Sequence, residues 1–282
     1  MPSVLLPWLR LLRAATLFSP AADVVAGLCL AGLPWSPAAA AAVAAGVCAY
    51  AGGMVLNDHA DRRRDAVVRP ERPIPRGEIA PGAALALGLA LLLAAVLVSP
   101  APPFHAGLAL GVLAYDYLFQ RHPLFAAPAM AALRGANLLS GPAVLAAGSL
   151  PGALWIAAAA YGVYILAVTV LGWLEDQPDP EPSLVRGMLC VPPCAAVLAL
   201  AALPVRWPAL VAVALGALVV HDAWRTRSFD QAAIRRRMTW LLLGTMAYTA
   251  LLAAAGGRHA EAVAILVAVP VARRIGRAIA LT

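Results

Sequence analysis

At 282 residues, with 62% hydrophobic and only 12% charged residues and a mean hydropathy of +0.82, the chain lies far from soluble domains, where about a quarter of residues are charged. The net charge of +7 does not point to nucleic acid: there is no lysine, and the 21 arginines gather in particular loops rather than along one stripe. Cys29, Cys48, Cys190 and Cys194 all lie in apolar segments. Cys190 and Cys194 are four apart, but two prolines separate them and no histidine accompanies them, so small core-like residues are expected rather than a metal or redox pair.

In chain order, residues 1–16 place Arg10 and Arg13 ahead of the first apolar run without a small-residue cleavage site. That pattern reads as a retained helix start rather than a cleaved signal peptide. Apolar runs follow at 15–34, 37–56, 82–99, 103–119, 124–146, 151–174, 187–204, 207–222 and 239–256. Each is near the length of about 20 residues that a bilayer demands of a helix. Pro34, Pro37, Pro81, Pro100, Pro123, Pro151 and Pro208 mark the junctions. A last stretch, 260–272, runs into Arg273, Arg274 and Arg277 and reads as a tenth span or an interfacial helix. The expected fold is all-α: a polytopic membrane protein with nine transmembrane helices, one integral-membrane domain over 1–282.

Charge placement predicts the orientation. With the N-terminus in the cytoplasm and nine alternating spans, 18 of the 21 arginines fall in cytoplasmic segments. Only Arg206 and Arg258 fall outside, and Arg134 lies in the membrane. This follows the positive-inside rule, and the seven tryptophans cluster at span ends as an interfacial belt does. A multi-pass protein of the cell (inner) membrane is expected, with the lipid bilayer as its constant partner and its N-terminus and polar loops cytoplasmic. No inverted pair of interrupted helices points to a transporter.

The stretch that carries chemistry reads Asn57-Asp58-His59-Ala60-Asp61-Arg62-Arg63-Arg64-Asp65. Asn57, Asp61 and Asp65 recur every four residues, so on a helix they share a face. Oxygen ligands at the edge of the membrane suit Mg²⁺, which keeps positions open for substrate phosphate. Asp58 lies about 100° round the helix from Asn57 and either adds a ligand or faces the adjacent groove. A solvated helix end with Asp61 and Asp65 paired to Arg62–Arg64 is the bland alternative. Residues 69–79 then read Arg69-Pro70-Glu71-Arg72-Pro73-Ile74-Pro75-Arg76-Gly77-Glu78-Ile79. Arginine offers bidentate contacts to phosphate, and the prolines stiffen the loop that aims it.

NDxxDxxxD followed by RPxRPIPxGxI resembles the first aspartate-rich region of the UbiA superfamily of intramembrane prenyltransferases. The resemblance implies nine helices around a central cavity. Two acidic motifs on opposite sides of the bundle would hold Mg²⁺ and an isoprenyl diphosphate. It also implies that diphosphate departs to leave an allylic cation, which a small acceptor attacks. Asn57, Asp61 and Asp65, with Asp58, would be metal ligands, Asp61 and Asp65 central to catalysis, and Arg69 and Arg72 phosphate residues. The second motif departs from the usual pattern and reads Glu175-Asp176-Gln177-Pro178-Asp179-Pro180-Glu181. Glu175 and Asp179 keep a spacing of four, but the prolines end a helix there. Glu175 and Asp176, then Asp179, are the metal candidates; an acidic solvated loop is the alternative.

Tyr115-Asp116-Tyr117-Leu118-Phe119-Gln120-Arg121 looks like the superfamily's Tyr…Lys/Arg element, in which the basic residue reaches the diphosphate. Tyr117 and Arg121 match its spacing, with Tyr115 as the competing anchor. Asp23 inside the first span, and Arg134 and Asn137 inside the fifth, are polar groups at costly depth and hence candidates for substrate binding. An Asp23–Arg134 pair would neutralise both, although the sequence does not fix that partnership, and a purely structural ion pair is the alternative. Asp23, Tyr115-Asp116 and Arg134-Gly135-Ala136-Asn137 are similar to the EboC-like branch, which implies a cyclitol- or sugar-like acceptor. Mg²⁺ is the cofactor this resemblance implies, and neighbouring proteins of a biosynthesis or export cluster are conceivable partners. The rival from another class is a non-catalytic lipid-diphosphate-binding or scaffold protein on the same fold.

Overall fold

The computed structural model describes residues 5–146 and 149–281; residues 1–4 of the expected retained helix start lie outside them. The described chain is helical, without a strand. The helices are α1 (Leu5–Leu11), α2 (Phe18–Leu30), α3 (Pro37–Val68), α4 (Pro81–Val98), α5 (Pro102–Ala114), α6 (Pro123–Leu145), α7 (Gly152–Glu175), α8 (Pro182–Ala201), α9 (Trp207–Arg225), α10 (Gln231–Ala255) and α11 (His259–Leu281). A π turn, Tyr115–Phe119, extends α5. The multi-pass membrane architecture expected from the apolar runs is present.

Among the described residues, six helices (α3, α4, α7, α8, α9 and α10) are long and apolar enough to cross a bilayer. The pair formed by α1 and the segment Ala14–Leu30, bent by 46°, makes a seventh. The number nine is therefore not established. The two expected spans outside this count are α5, 13 residues long before the π turn that continues it, and α6, which carries Arg134 and Asn137 mid-length.

α3 differs most from its expected extent, running 32 residues to Val68 instead of ending near 56. Ser36 caps its N-terminus, accepting a hydrogen bond from the Ala39 amide at 3.1 Å, and Pro37 opens the first turn. No glycine or proline interrupts residues 54–68, so the helix carries the acidic motif beyond its apolar part as one rigid rod.

The helices pack as neighbours along the chain, with α2 also against α6 and α10, and α3 against α5 and α6. The largest core joins α6 to α10 around Tyr161, Leu171, Leu189 and Leu252. A smaller core of Leu56, Leu92, Ala109 and Val112 joins α3, α4 and α5. Gly27 sets the distance between α2 and α6: a Cβ there would stand 2.0 Å from the Leu138 carbonyl oxygen. Small residues permit such close approach between membrane helices. Gly27→Ala therefore forces α2 and α6 apart, and overpacking of this kind costs about 1–3 kcal/mol or more. A lowered thermal-unfolding midpoint in detergent is the expected result; a wild-type midpoint would show that the two helices have slack.

Candidate active site

The polar end of α3 is organised by arginines. On a helix Asp58 and Asp65 lie seven residues apart and only about 20° from each other, with Asp61 between them. Arg72 exploits this, donating to Asp65 Oδ2 at 2.6 Å and Asp58 Oδ1 at 3.0 Å. Both carboxylates are buried. Arg13 adds a second clamp on Asp58 Oδ1 at 2.8 Å. It sits at the break between α1 and α2 with φ +48°, a left-handed conformation that non-glycine residues adopt at a cost.

The loop after α3 is anchored by apolar residues rather than by its charges. Ile74 and Ile79 are buried against Leu11, Val55 and Ala84. Gly77 takes φ +73°, and its amide closes the turn on the Ile74 carbonyl at 3.0 Å. These contacts hold the turn that carries Arg72 against α3. The isoleucines and glycine of the RPxRPIPxGxI pattern thus have a packing reason.

The π turn faces the same acids. The Gln120 amide donates to the Tyr115 carbonyl at 2.9 Å, and this wider turn places Asp116 and Gln120 together beside α3. Asn57 Nδ2 donates to Gln120 Oε1 at 2.6 Å and more distantly to Asp116 Oδ1 at 3.4 Å. Gln120 Nε2 reaches Asp61 Oδ1 at 3.4 Å. Asp61 is half-buried and is the one carboxylate of the motif without an arginine partner. Asp116 is 2% exposed, and its Oδ2 has no hydrogen-bond partner.

Tyr117 and Arg121, which match the Tyr…Lys/Arg spacing, point to different surroundings. Tyr117 shares a 2.9 Å hydrogen bond with His59, while Arg121 is exposed and its side chain meets no hydrogen-bond or ion-pair partner among the described residues. The physical reason is the π turn, which shifts the register, so that Gln120 lies beside Asp61.

The second acidic stretch reaches the same end of the bundle. α7 stops at Glu175, as the prolines require, and Asp176 caps it. Asp176 pairs with Arg64 at 2.7 Å and Arg69 at 3.8 Å, tying the end of α7 to the end of α3. Glu175 is buried and receives Arg235 of α10 at 2.7 Å. Asp179 is exposed and has no ion pair among the described residues, so the structure does not gather it with the others. Among the described residues, no three His, Cys, Asp or Glu side chains are grouped closely enough to hold a metal ion. Arg72 bridges Asp58 and Asp65, while Asp176 and Glu175 are held apart from them, by Arg64 with Arg69 and by Arg235.

Next to the π turn, α3, α5 and α6 line a partly open cavity of about 60 Å³ with apolar walls. Tyr115 and Asp116 line it toward the acids, and Arg134 and Asn137 line it on α6. The Asp23–Arg134 pair forms at 3.0 Å, and Asp23 is fully buried. Tyr161 donates to Asp23 at 2.7 Å, and Asn137 Nδ2 donates to it at 3.1 Å. Arg134 also donates to Ser19 at 2.7 Å and to the Tyr161 hydroxyl.

Sequence reasoning assigned no role to Arg13, Asp116, Gln120 or Tyr161. Only the depth of Asp116 beside Tyr115 and the acceptor–donor character of Gln120 offered a signal. Arg13 and Tyr161 meet their partners across 45 and 138 residues of sequence, where no local pattern exists.

The helices thus bring oxygen ligands and arginines to one end of the bundle, beside an apolar cavity. Residues 22–179 match the UbiA prenyltransferase family, and the chain belongs to that family. It is 32% identical over 245 residues to a digeranylgeranylglyceryl phosphate synthase of Halobacterium salinarum, covering 79% of this chain and 87% of the relative. A synthase of the same name from Methanospirillum hungatei is 34% identical over 134 residues, where the match spans 47% of the relative's length. The match to the Natronomonas pharaonis synthase likewise spans 43% of that protein. A solved UbiA homologue from Archaeoglobus fulgidus, bound to GPP and Mg²⁺, superposes with a TM-score of 0.63 at 15% identity, covering 89% of this chain and 98% of that one. A structure described as digeranylgeranylglyceryl phosphate synthase gives 0.65 at 14% identity, with 90% and 98% covered. At such identities these two share the fold.

Proposed function

We propose that the chain, as one catalytic domain over 1–282, transfers an isoprenyl group from an isoprenyl diphosphate to the hydroxyl of a glyceryl-phosphate-type acceptor within the membrane. The observation that carries this reading is the convergence of Asp58, Asp61 and Asp65 with Arg13 and Arg72 at the polar end of α3, beside the cavity. The names of the relatives favour a glyceryl phosphate over the cyclitol- or sugar-like acceptor that the EboC-like resemblance implied.

The donor set fits Mg²⁺ in its chemistry: Asn57, Asp58, Asp61 and Asp65, with Glu175 and Asp176 from the second stretch, offer hard oxygen ligands. Bound there, Mg²⁺ neutralises diphosphate oxygens and favours their departure. Arg13, Arg69 and Arg72 supply donors suited to phosphate and oppose the charge that develops on it. The C1–O bond of the isoprenyl diphosphate breaks, and its electron pair leaves with the diphosphate. The acceptor oxygen bonds to C1, and its proton passes to the released diphosphate. The apolar cavity walls and Tyr115 keep water from the allylic centre. The arginine distribution supports a cytoplasmic N-terminus and a cytoplasmic face for the acidic end.

The test is mass spectrometry of products from reconstituted protein given geranylgeranyl diphosphate, Mg²⁺ and either monogeranylgeranylglyceryl phosphate or a cyclitol. The digeranylgeranyl ether from the glyceryl phosphate is expected. Tight binding of the diphosphate with no product from either acceptor would favour a non-catalytic lipid-diphosphate-binding protein instead.

A further inference from the structure

On the α6 side of the cavity, two buried polar atoms find no hydrogen-bond partner among the described residues. Asn137 is 5% exposed and Arg134 is 7% exposed. Asn137 spends its amide hydrogens on the Pro20 carbonyl at 3.0 Å and on Asp23 at 3.1 Å, which leaves Oδ1 without a partner. Arg134 makes all its hydrogen bonds through Nη2, which leaves Nε buried and unused. Both residues line the cavity that also reaches Asp116. Unsatisfied buried donors and acceptors are costly, so a pair of them on a cavity wall calls for a ligand.

The charge of the wall narrows the ligand. Asp23 cancels Arg134, and the only other ionisable groups lining the cavity are Tyr50, Tyr115 and Asp116. An anionic group has no free cation to meet there. A hydroxyl matches: its oxygen accepts from Arg134 Nε, and its hydrogen is donated to Asn137 Oδ1. The walls around it are apolar, including Ala49, Leu108, Val112 and Leu133.

Resting on the prenyl-transfer reading above, we propose that Arg134 and Asn137 form the subsite for the acceptor's attacking hydroxyl, with Asp23, Tyr161 and Ser19 as positioning residues. The phosphate of a glyceryl-phosphate acceptor lies away from this wall, and the free alcohol points into it. Gly46 shapes the subsite, because a Cβ there would stand 2.6 Å from Asn137 Oδ1.

The experiment compares monogeranylgeranylglyceryl phosphate with an analogue bearing hydrogen in place of the free hydroxyl, as substrate KM and inhibitor Ki, on the full chain in nanodiscs with geranylgeranyl diphosphate and Mg²⁺. Wild type is expected to prefer the alcohol by about tenfold or more, the scale of a buried hydrogen bond. Asn137→Ala, and Gly46→Ala as a variant that removes no polar group, are expected to lose most of that preference. Both should raise the acceptor KM more than the diphosphate KM. Equal binding of the two compounds by wild type overturns the subsite, whether or not either variant folds. So does a preference that survives in both variants. Transfer without preference rejects the subsite alone, whereas wild type that releases no pyrophosphate from geranylgeranyl diphosphate rejects the prenyl-transfer reading beneath it.

Discussion

Asp61→Ala is expected to lower prenyl transfer by at least about 10²-fold, the scale on which removing one preorganised electrostatic group acts. Asp61 lies between Asp58 and Asp65 on the helix, and those two are already held by Arg72 and Arg13. Its own contact is a 3.4 Å hydrogen bond from Gln120. That long bond contributes little to folding, so the variant should insert and melt close to wild type. Pyrophosphate release and thermal unfolding, measured on the same preparation, separate the two effects. A variant that transfers at half the wild-type rate or better would remove Asp61 from the site.

Asp23→Leu has the opposite profile. It leaves the Arg134 guanidinium buried without its counter-charge and strips the Tyr161 hydroxyl of its acceptor. Breaking one half of a buried pair costs about 3–5 kcal/mol. A steep drop in folded yield and in unfolding midpoint is expected. The double variant Asp23→Leu/Arg134→Met removes both charges and should recover much of that stability, since replacing a whole buried pair by apolar groups is often neutral. It should not recover acceptor use, because the polar wall is then gone. A stable single variant would mean that water or lipid headgroups reach Arg134.

The helical membrane fold was legible because bilayer thickness writes itself into the length of apolar runs, and α3, α4, α7, α8, α9 and α10 show it plainly. The acidic ridge was legible because a four-residue repeat needs only one helix to become a face. What the repeat concealed was the seven-residue relation of Asp58 to Asp65, the one that Arg72 uses. Gln120, not Arg121, lies beside Asp61, because the π turn Tyr115–Phe119 inserts an extra residue into the α-helical register that the Tyr117–Arg121 spacing assumed. Partners from distant segments, such as Arg13 for Asp58, Arg235 for Glu175 and Tyr161 for Asp23, depend on helix packing that no single segment encodes. The depth of Asp23 and Arg134 in apolar runs did signal a shared polar centre, since a bilayer tolerates such groups only in company.

The most direct test follows pyrophosphate release from geranylgeranyl diphosphate by the reconstituted protein with a glyceryl-phosphate acceptor, before and after EDTA. Release in step with ether product, stopped by EDTA and restored by excess Mg²⁺, is the predicted result. Release indifferent to EDTA, or none at all while the diphosphate still binds, would contradict it.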